Sequence, residues 1–313
     1  MIISKELLHK KIGEWFLYNK RKLPWRETRN PYFVMVAEFM LQQTQVSRVL
    51  PKYLDFIERF PTIDSLSKAK ASEVIKLWSG LGYNKRAINL HLAVKMIVKE
   101  FRGEFPKDIN QLILLPGVGS YTASAIACFA FEKAVPVVDT NINRVFQRLI
   151  CESEDKLSDK NCKELALKFL NYNDPWTWNQ GVMEFGAVVC KTVPNCFNCI
   201  FASICTSSLN RTKRNESEHS IAKVNLRIKG QRISFEKSNR YFRGRLIKFL
   251  TLIREDSWIS FKQAYGYIWS LNSAFDEDRF KELLRQLESE GLIQISKFSD
   301  IHDMSNIALR LPE

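Results

Sequence analysis

The 313-residue sequence predicts a mostly α-helical protein that ends in a small winged-helix-like α/β module. Three observations predict it. Apolar residues recur at helical spacing, with short breaks, from residue 5 to about residue 189. Alternating strand patterns are scarce, the clearest being Gly291-Leu-Ile-Gln-Ile-Ser near the end. Residues 206–236 are polar and rich in Ser, Asn, Lys and Arg, and read as a linker between the helical body and the module.

The elements follow in order. Residues 5–20 read as an amphipathic helix that stops near Leu23-Pro24. From Pro31 to about Phe131 helices succeed one another, broken at Phe60-Pro61, Gly80-Leu81-Gly82, Phe105-Pro106 and Pro116-Gly117, where proline or glycine interrupts the hydrogen-bond ladder. Further helices are expected at 141–150, 159–170 and 178–189, the last running into a group of cysteines. After the linker, helices are expected at 241–254 and 278–291, then a strand and a short return. No repeat of fixed period is present.

Hydrophobic residues make up 45% of the chain and charged residues 26%, ordinary for a globular protein. No apolar run approaches the ~20 residues that span a bilayer. The start, Met1-Ile-Ile-Ser-Lys-Glu, has no signal-peptide core, so an intracellular, cytoplasmic protein with no membrane partner is expected. The net charge is +13, which favours a polyanionic partner, nucleic acid before membrane. The charge is concentrated: residues 206–254 hold 13 Lys/Arg against 3 Asp/Glu, whereas 255–313 hold 6 against 11.

Four constellations carry chemistry. The first is Cys190-x5-Cys196-x2-Cys199-x5-Cys205. Seven cysteines and no secretory signal argue against a disulfide framework. Four thiolates within sixteen residues can wrap one metal centre. One C-x-x-C flanked by longer arms suits a [4Fe–4S] cubane better than a zinc ribbon, although spacing alone leaves zinc open. The second is Leu115-Pro116-Gly117-Val118-Gly119-Ser120-Tyr121-Thr122, a glycine turn between two helices. Gly117 and Gly119 allow close backbone approach, and the free N–H groups of the second helix suit an anion such as phosphate. A helix–helix turn that merely needs glycine is the plainer reading.

The third is Val34-Met-Val-Ala-Glu38-Phe-Met-Leu41-Gln42-Gln43-Thr44, an acid inside an apolar run. Such a carboxyl is either locally paired or protonated with a raised pKa, and the latter supplies a general acid. Gln42 follows one helical turn later. The fourth is Val135-Pro-Val-Val-Asp139-Thr-Asn141, which delivers a second carboxylate to a helix start. Asp139 is an N-cap on the plainer reading, and on the chemical one it is the anion that faces a cationic sugar centre.

Leu23-Pro24-Trp25-Arg26, Glu38-x-Met40-Leu41-Gln42-Gln43-Thr44-Gln45-Val46, Trp78-x-Gly80-Leu81-Gly82-Tyr83, Leu115-Pro-Gly-Val-Gly, Asp139-x-Asn141 and the four cysteines together resemble the helix–hairpin–helix DNA glycosylases, most closely the MutY-type adenine glycosylases. The resemblance covers about residues 5–210. It implies the helix–hairpin–helix glycosylase fold, with a six-helix domain (22–136) and an iron–sulfur cluster domain (1–21 with 137–206); the composition and pattern of the rest give a basic linker (207–236) and the winged-helix-like module (237–313).

What the family implies falls on these residues. Glu38 protonates the adenine leaving group, Asp139 stabilises or transiently bonds the cationic sugar, and Tyr121 and Asn141 support the two carboxylates. Leu41, Gln42, Gln43, Thr44 and Tyr83 contact the DNA, wedging into the stack and facing the widowed base. Trp25, Arg26 and Glu184 line the base pocket, the turn at Gly117–Gly119 holds phosphate, and Cys190, Cys196, Cys199 and Cys205 hold the cluster. The partner is duplex DNA with a mismatch or oxidised lesion, bound by a nucleoid-associated monomer.

Tyr121 stands where the endonuclease III branch has a nucleophilic lysine, which implies a monofunctional enzyme. The sequence departs from the family in three places. The first cysteine gap is one residue short of the usual six, Asn84 replaces a second tyrosine, and residues 237–313 do not resemble the MutT-like domain with its Phe-Ser-His loop. Two alternatives remain: a glycosylase for thymine or uracil opposite G, and a non-enzymatic iron–sulfur DNA-binding regulator.

Overall fold

The computed structural model describes residues 3–151, 157–205, 207–209, 235–254, 257–296 and 307–313. Most of the expected linker therefore lies outside the described residues. The helices are α1 (Lys5–Asn19), α2 (Pro31–Leu41), α3 (Val46–Arg59), α4 (Ile63–Ser67), α5 (Ala71–Trp78), α6 (Lys85–Glu100) and α7 (Ile109–Ile113). They continue as α8 (Ser120–Phe131), α9 (Thr140–Leu149), α10 (Asp159–Lys168), α11 (Pro175–Val188), α12 (Asn239–Thr251), α13 (Phe261–Leu271) and α14 (Glu277–Ser289). Three short strands, β1 (Ile259–Ser260), β2 (Gln294–Ile295) and β3 (Ala308–Arg310), complete the described structure. The protein is mostly helical, as the sequence predicts, and none of the described helices is long and apolar enough to cross a membrane.

The chain forms two compact units. One comprises Met1–Met35, Lys107–Ile113 and Val118–Asn225, the other Val36–Pro106, Leu114–Gly117 and Leu226–Glu313. The C-terminal residues thus group with α3–α6 rather than alone.

In the first unit α11 packs against both α1 and α9. Asp174 caps α11, accepting from Thr177 N, and Pro175 occupies the first turn, where its missing N–H costs nothing. Leu8, Ile12, Phe146, Trp178, Phe185 and Phe201 fill the interface, each large side chain contributing about 1.5–3 kcal/mol by leaving water. Gly181 lets α1 approach, since a Cβ there would stand 2.7 Å from Ile12 Cγ2.

In the second unit Phe56 packs edge-on against Phe60 and Trp78, joining α3 to α5. The C-terminal segment runs helix, strand, helix, helix, strand, strand, with antiparallel sheet order β1-β3-β2, which is winged-helix order. Leu309 of β3 stands opposite Ile259 of β1 and Ile295 of β2. The module's core, centred on Phe242, Leu246, Phe275, Phe280 and Leu284, takes in Ile75 of α5 and Ile88 of α6. Pro312 O accepts from Ser72 N at 2.9 Å, and Glu290 O from Lys85 Nζ at 2.7 Å, so the module is bonded to the starts of α5 and α6.

The strand read at 291–296 narrows to Gln294–Ile295 and is followed by the returning β3, while α13 and β1 go unread in the sequence. Strand β1, two residues long, is too short to show alternation. Helix α13 did carry a signal: Ser260 and Gln263 form a capping box at its start.

Candidate functional site

Glu38 lies in α2, 5% exposed among Met35, Val36, Phe39 and Met40, all of them buried. Helix α2 ends at Leu41, and the chain turns through Gln42, Gln43 and Thr44, with Gln43 left-handed at φ 54°. One buried residue fixes this turn. Arg86 of α6 donates through Nη1 to the carbonyls of Phe39 (2.8 Å), Met40 (2.9 Å) and Gln42 (2.6 Å), satisfying the carbonyls that α2 leaves open at its end. Through Nη2 it reaches Thr44 Oγ1 and Gly82 O, both at 3.0 Å. The same side chain therefore holds the Gln42–Thr44 turn and the Gly80–Tyr83 loop. Burial pulls its pKa down to about 10, and the neighbouring Arg240 charge adds to the effect.

Tyr83 ends that loop in a left-handed conformation, φ 48°, with its ring 40% exposed. A non-glycine residue held there is strained, and such strain is kept where the surroundings dictate it.

At the turn before α8, Gly117 is required twice over. Its φ is +77°, and a Cβ would stand 2.7 Å from Asn89 Cβ and 2.9 Å from Phe39 Cε1. Gly119 is required by neither: its backbone is extended, and a Cβ would meet nothing within 4 Å. The open space leaves the N–H groups that begin α8 approachable. Gln42 Nε2 donates to Gly117 O at 3.5 Å, linking two of the expected DNA contacts. Tyr121 is half-buried in the first turn of α8.

Asp139 caps α9. Its Oδ1 accepts from Ile142 N and its Oδ2 from Asn141 Nδ2, each at 2.7 Å. The plainer reading of this residue is therefore realised, and Asn141 donates to its carboxylate. Burial pushes the Asp139 pKa up, opposed by the bonds from Ile142 and Asn141 and by the Arg144 charge. Arg144 in turn donates to Asn141 Oδ1, Gly186 O and Cys190 O, all at 2.7 Å. Gly186 allows this approach, because a Cβ there would stand 2.7 Å from Asn141 Cβ.

Glu184 of α11 is fully buried, and arginines take both its oxygens. Arg21 donates from Nε to Oε1 at 2.6 Å and from Nη2 to Oε2 at 2.7 Å, while Arg26 Nη2 reaches Oε2 at 2.9 Å. Burial alone would raise its pKa, but these bonds outweigh it and bring it down to about 2. Removing both arginines would leave an uncompensated buried charge. Arg26 also donates to Gln180 Oε1, and Trp25 is buried in the same turn, so the three expected pocket residues lie together.

The cysteine segment follows α11. Cys190, Cys196 and Cys199 are half-buried, and Cys205 is buried. Burial pushes the Cys199 thiol up to about 11, and Cys190, Cys205 and Cys196 each act on it electrostatically, so all four sulfurs are neighbours. N–H groups point at the sulfurs: Phe201 N donates to Cys199 Sγ at 3.4 Å and Arg148 Nη1 to Cys190 Sγ at 3.5 Å. Four thiols within electrostatic reach of one another are a donor set of the kind that holds a four-thiolate cluster. Cys128 and Cys162 are buried elsewhere.

Sequence reasoning missed Arg21, Arg86 and Arg144. Each is one arginine among many in a basic chain, and only the fold shows which carbonyl or carboxylate it meets. Glu38 and Asp139 belong to different units.

Residues 36–170 match the model of the HhH-GPD superfamily base excision DNA repair protein family. The chain is 39% identical over 210 residues to the adenine DNA glycosylase of Buchnera aphidicola subsp. Baizongia pistaciae, covering 65% of this chain and 59% of that protein. It is 40% identical over 189 residues to the adenine DNA glycosylase of Mycolicibacterium smegmatis, covering 59% and 64% respectively. The chain thus spans about three fifths of the length of these relatives. Among solved structures, a thermostable thymine-DNA glycosylase is similar with a TM-score of 0.62 and 28% identity, covering 66% of this chain and 97% of that one.

Proposed function

We propose that the chain, whose residues 36–170 match the model of the HhH-GPD superfamily of base excision DNA repair proteins, is a monofunctional DNA glycosylase that excises adenine mispaired with 8-oxoguanine or G. The observation that carries this reading is Glu38, a buried carboxyl one turn ahead of the Gln42–Thr44 turn that Arg86 holds rigid. Relatives about 40% identical that bear the name adenine DNA glycosylase support it.

In the proposed mechanism the adenine is extruded from the duplex. Glu38 gives its proton to the base as the C1′–N9 bond breaks and the bonding electrons pass to the base. Asp139 faces the developing sugar cation, its oxygens oriented by Ile142 N and Asn141. Water then adds at C1′, and its proton returns to a carboxylate. With Tyr121 in place of a lysine no imine forms, and the strand stays uncut.

Cys190, Cys196, Cys199 and Cys205 would hold a [4Fe–4S] cluster, which when bound cross-links the segment after α11. The electrostatic contact among the four thiols supports it. The partner is duplex DNA, met by a monomer inside the cell.

A second reading, excision of thymine opposite G, is favoured by the likeness to a thymine-DNA glycosylase. Single-turnover assays on A·8-oxoguanine, A·G, T·G and U·G duplexes separate the two. Base release from the adenine mispairs alone is expected, and release from T·G alone would overturn the adenine reading.

A further inference from the structure

The winged-helix-like module reaches the loop that carries Tyr83. Arg240, in the first turn of α12, sets its guanidinium 4.1 Å from the Tyr83 ring centroid, and Arg86 sets its own at 5.6 Å. Two cations thus attend one half-exposed ring. Among the described residues no carboxylate pairs with Arg240. Glu290, a carboxylate on the same module, is taken by Arg243. Arg240 itself is exposed. A guanidinium stacked on a ring keeps its in-plane N–H fork for a planar or tetrahedral anion, and it is easily dehydrated. The stretch it sits in holds the densest basic charge of the chain.

We propose that Tyr83 and Arg240 form one nucleic-acid contact site, in which Arg240 grips a backbone phosphate beside the point where Tyr83 enters the base stack. The place of Tyr83 rests on the glycosylase reading; the grip on a phosphodiester rests on the unpaired, stacked guanidinium. The module is then part of the DNA-binding face.

The test uses the full-length protein and fluorescence anisotropy on undamaged and A·8-oxoguanine duplexes across a salt series. Arg240→Ala is expected to bind about tenfold more weakly, with a log K against log salt slope shallower by about one phosphate. Arg240→Lys keeps the charge and loses the planar stack, so it should retain the slope while recovering only part of the affinity. Pairing Arg240→Ala with Tyr83→Ala should cost less than the product of the single effects, because each change already breaks the stack. Wild-type affinity and slope in Arg240→Ala would overturn the site, as would independent, multiplying effects in the double variant. Binding needs no excision: a wild type that binds but releases no base would overturn the glycosylase reading and leave this contact standing.

Discussion

Arg144 Nε donates to the backbone carbonyl of Cys190 at 2.7 Å, tying α9 to the start of the cysteine segment. The same guanidinium bonds to Asn141 Oδ1, and Asn141 bonds to Asp139. The carboxylate that caps α9 is thereby positioned from the cysteine end of the unit. Arg144→Ala leaves three oxygens without this donor, at about 1–3 kcal/mol where a buried group stays unsatisfied. Single-turnover excision is expected to fall about tenfold or more, with partial rescue by Arg144→Lys. A wild-type rate in Arg144→Ala would contradict the positioning role.

Gly186→Ala should act at the same place by sterics. A Cβ 2.7 Å from Asn141 Cβ must push the start of α9 off α11, at a cost of about 1–3 kcal/mol. Gly119→Ala, with open space around it, should leave the melting temperature unchanged. Thermal melts of the two variants check this.

Glu38→Gln and Asp139→Asn should each abolish base excision while duplex affinity stays within a few fold, since affinity comes chiefly from phosphate contacts. Quench-flow rates with saturating enzyme, beside anisotropy, make the comparison. A normal rate in either variant would refute the two-carboxylate mechanism.

The purified protein should be brown and carry about four iron atoms per chain, as a cubane requires. Cys199→Ser should lower the iron content and destabilise the segment around Phe201. Elemental analysis that finds zinc and no iron would overturn the cluster assignment.

His91, 2% exposed in α6, has its pKa pulled down to about 4 by burial, with the Lys95 charge adding to it. Unfolded, it titrates near 6.5. Between these values the unfolded chain binds a proton that the native chain refuses. Stability should thus be complete above about pH 6.5 and fall as the pH drops towards 4, by up to roughly 3 kcal/mol. Denaturant melts from pH 7.5 to 4.5 measure the slope, which His91→Gln should flatten. An unchanged slope in that variant would show that other groups carry the effect.

Much of the site was legible in the chain, because its parts are local. Asp139 stands immediately before the helix it caps, Gly117 sits at a turn that only glycine can make, and the cysteines crowd into sixteen residues. The long helices were legible for the same reason: α3 and α9 bury one face at a 3.6-residue period. The two-residue strand β1 was not, since no alternation fits within it. The arginines were not legible either, because their partners lie up to 163 residues away, as Arg21 and Glu184 do.

By itself the sequence determined the helical class, the basic character, the acid buried in α2, the capping acid of α9 and the four-thiol segment. Each follows from residue type and spacing over a few turns, where backbone geometry is set by neighbours along the chain. Only the tertiary structure decided which cation meets which oxygen. Arg86 stitches the end of α2 to the Tyr83 loop, Arg144 joins α9 to Cys190, and Glu184 is closed by two arginines. It also brought Arg240 onto Tyr83, where a basic segment read as linker and first helix becomes a contact at a defined ring. A charge's partner is chosen by position in space and by burial, and neither is written in the spacing of residues along the chain.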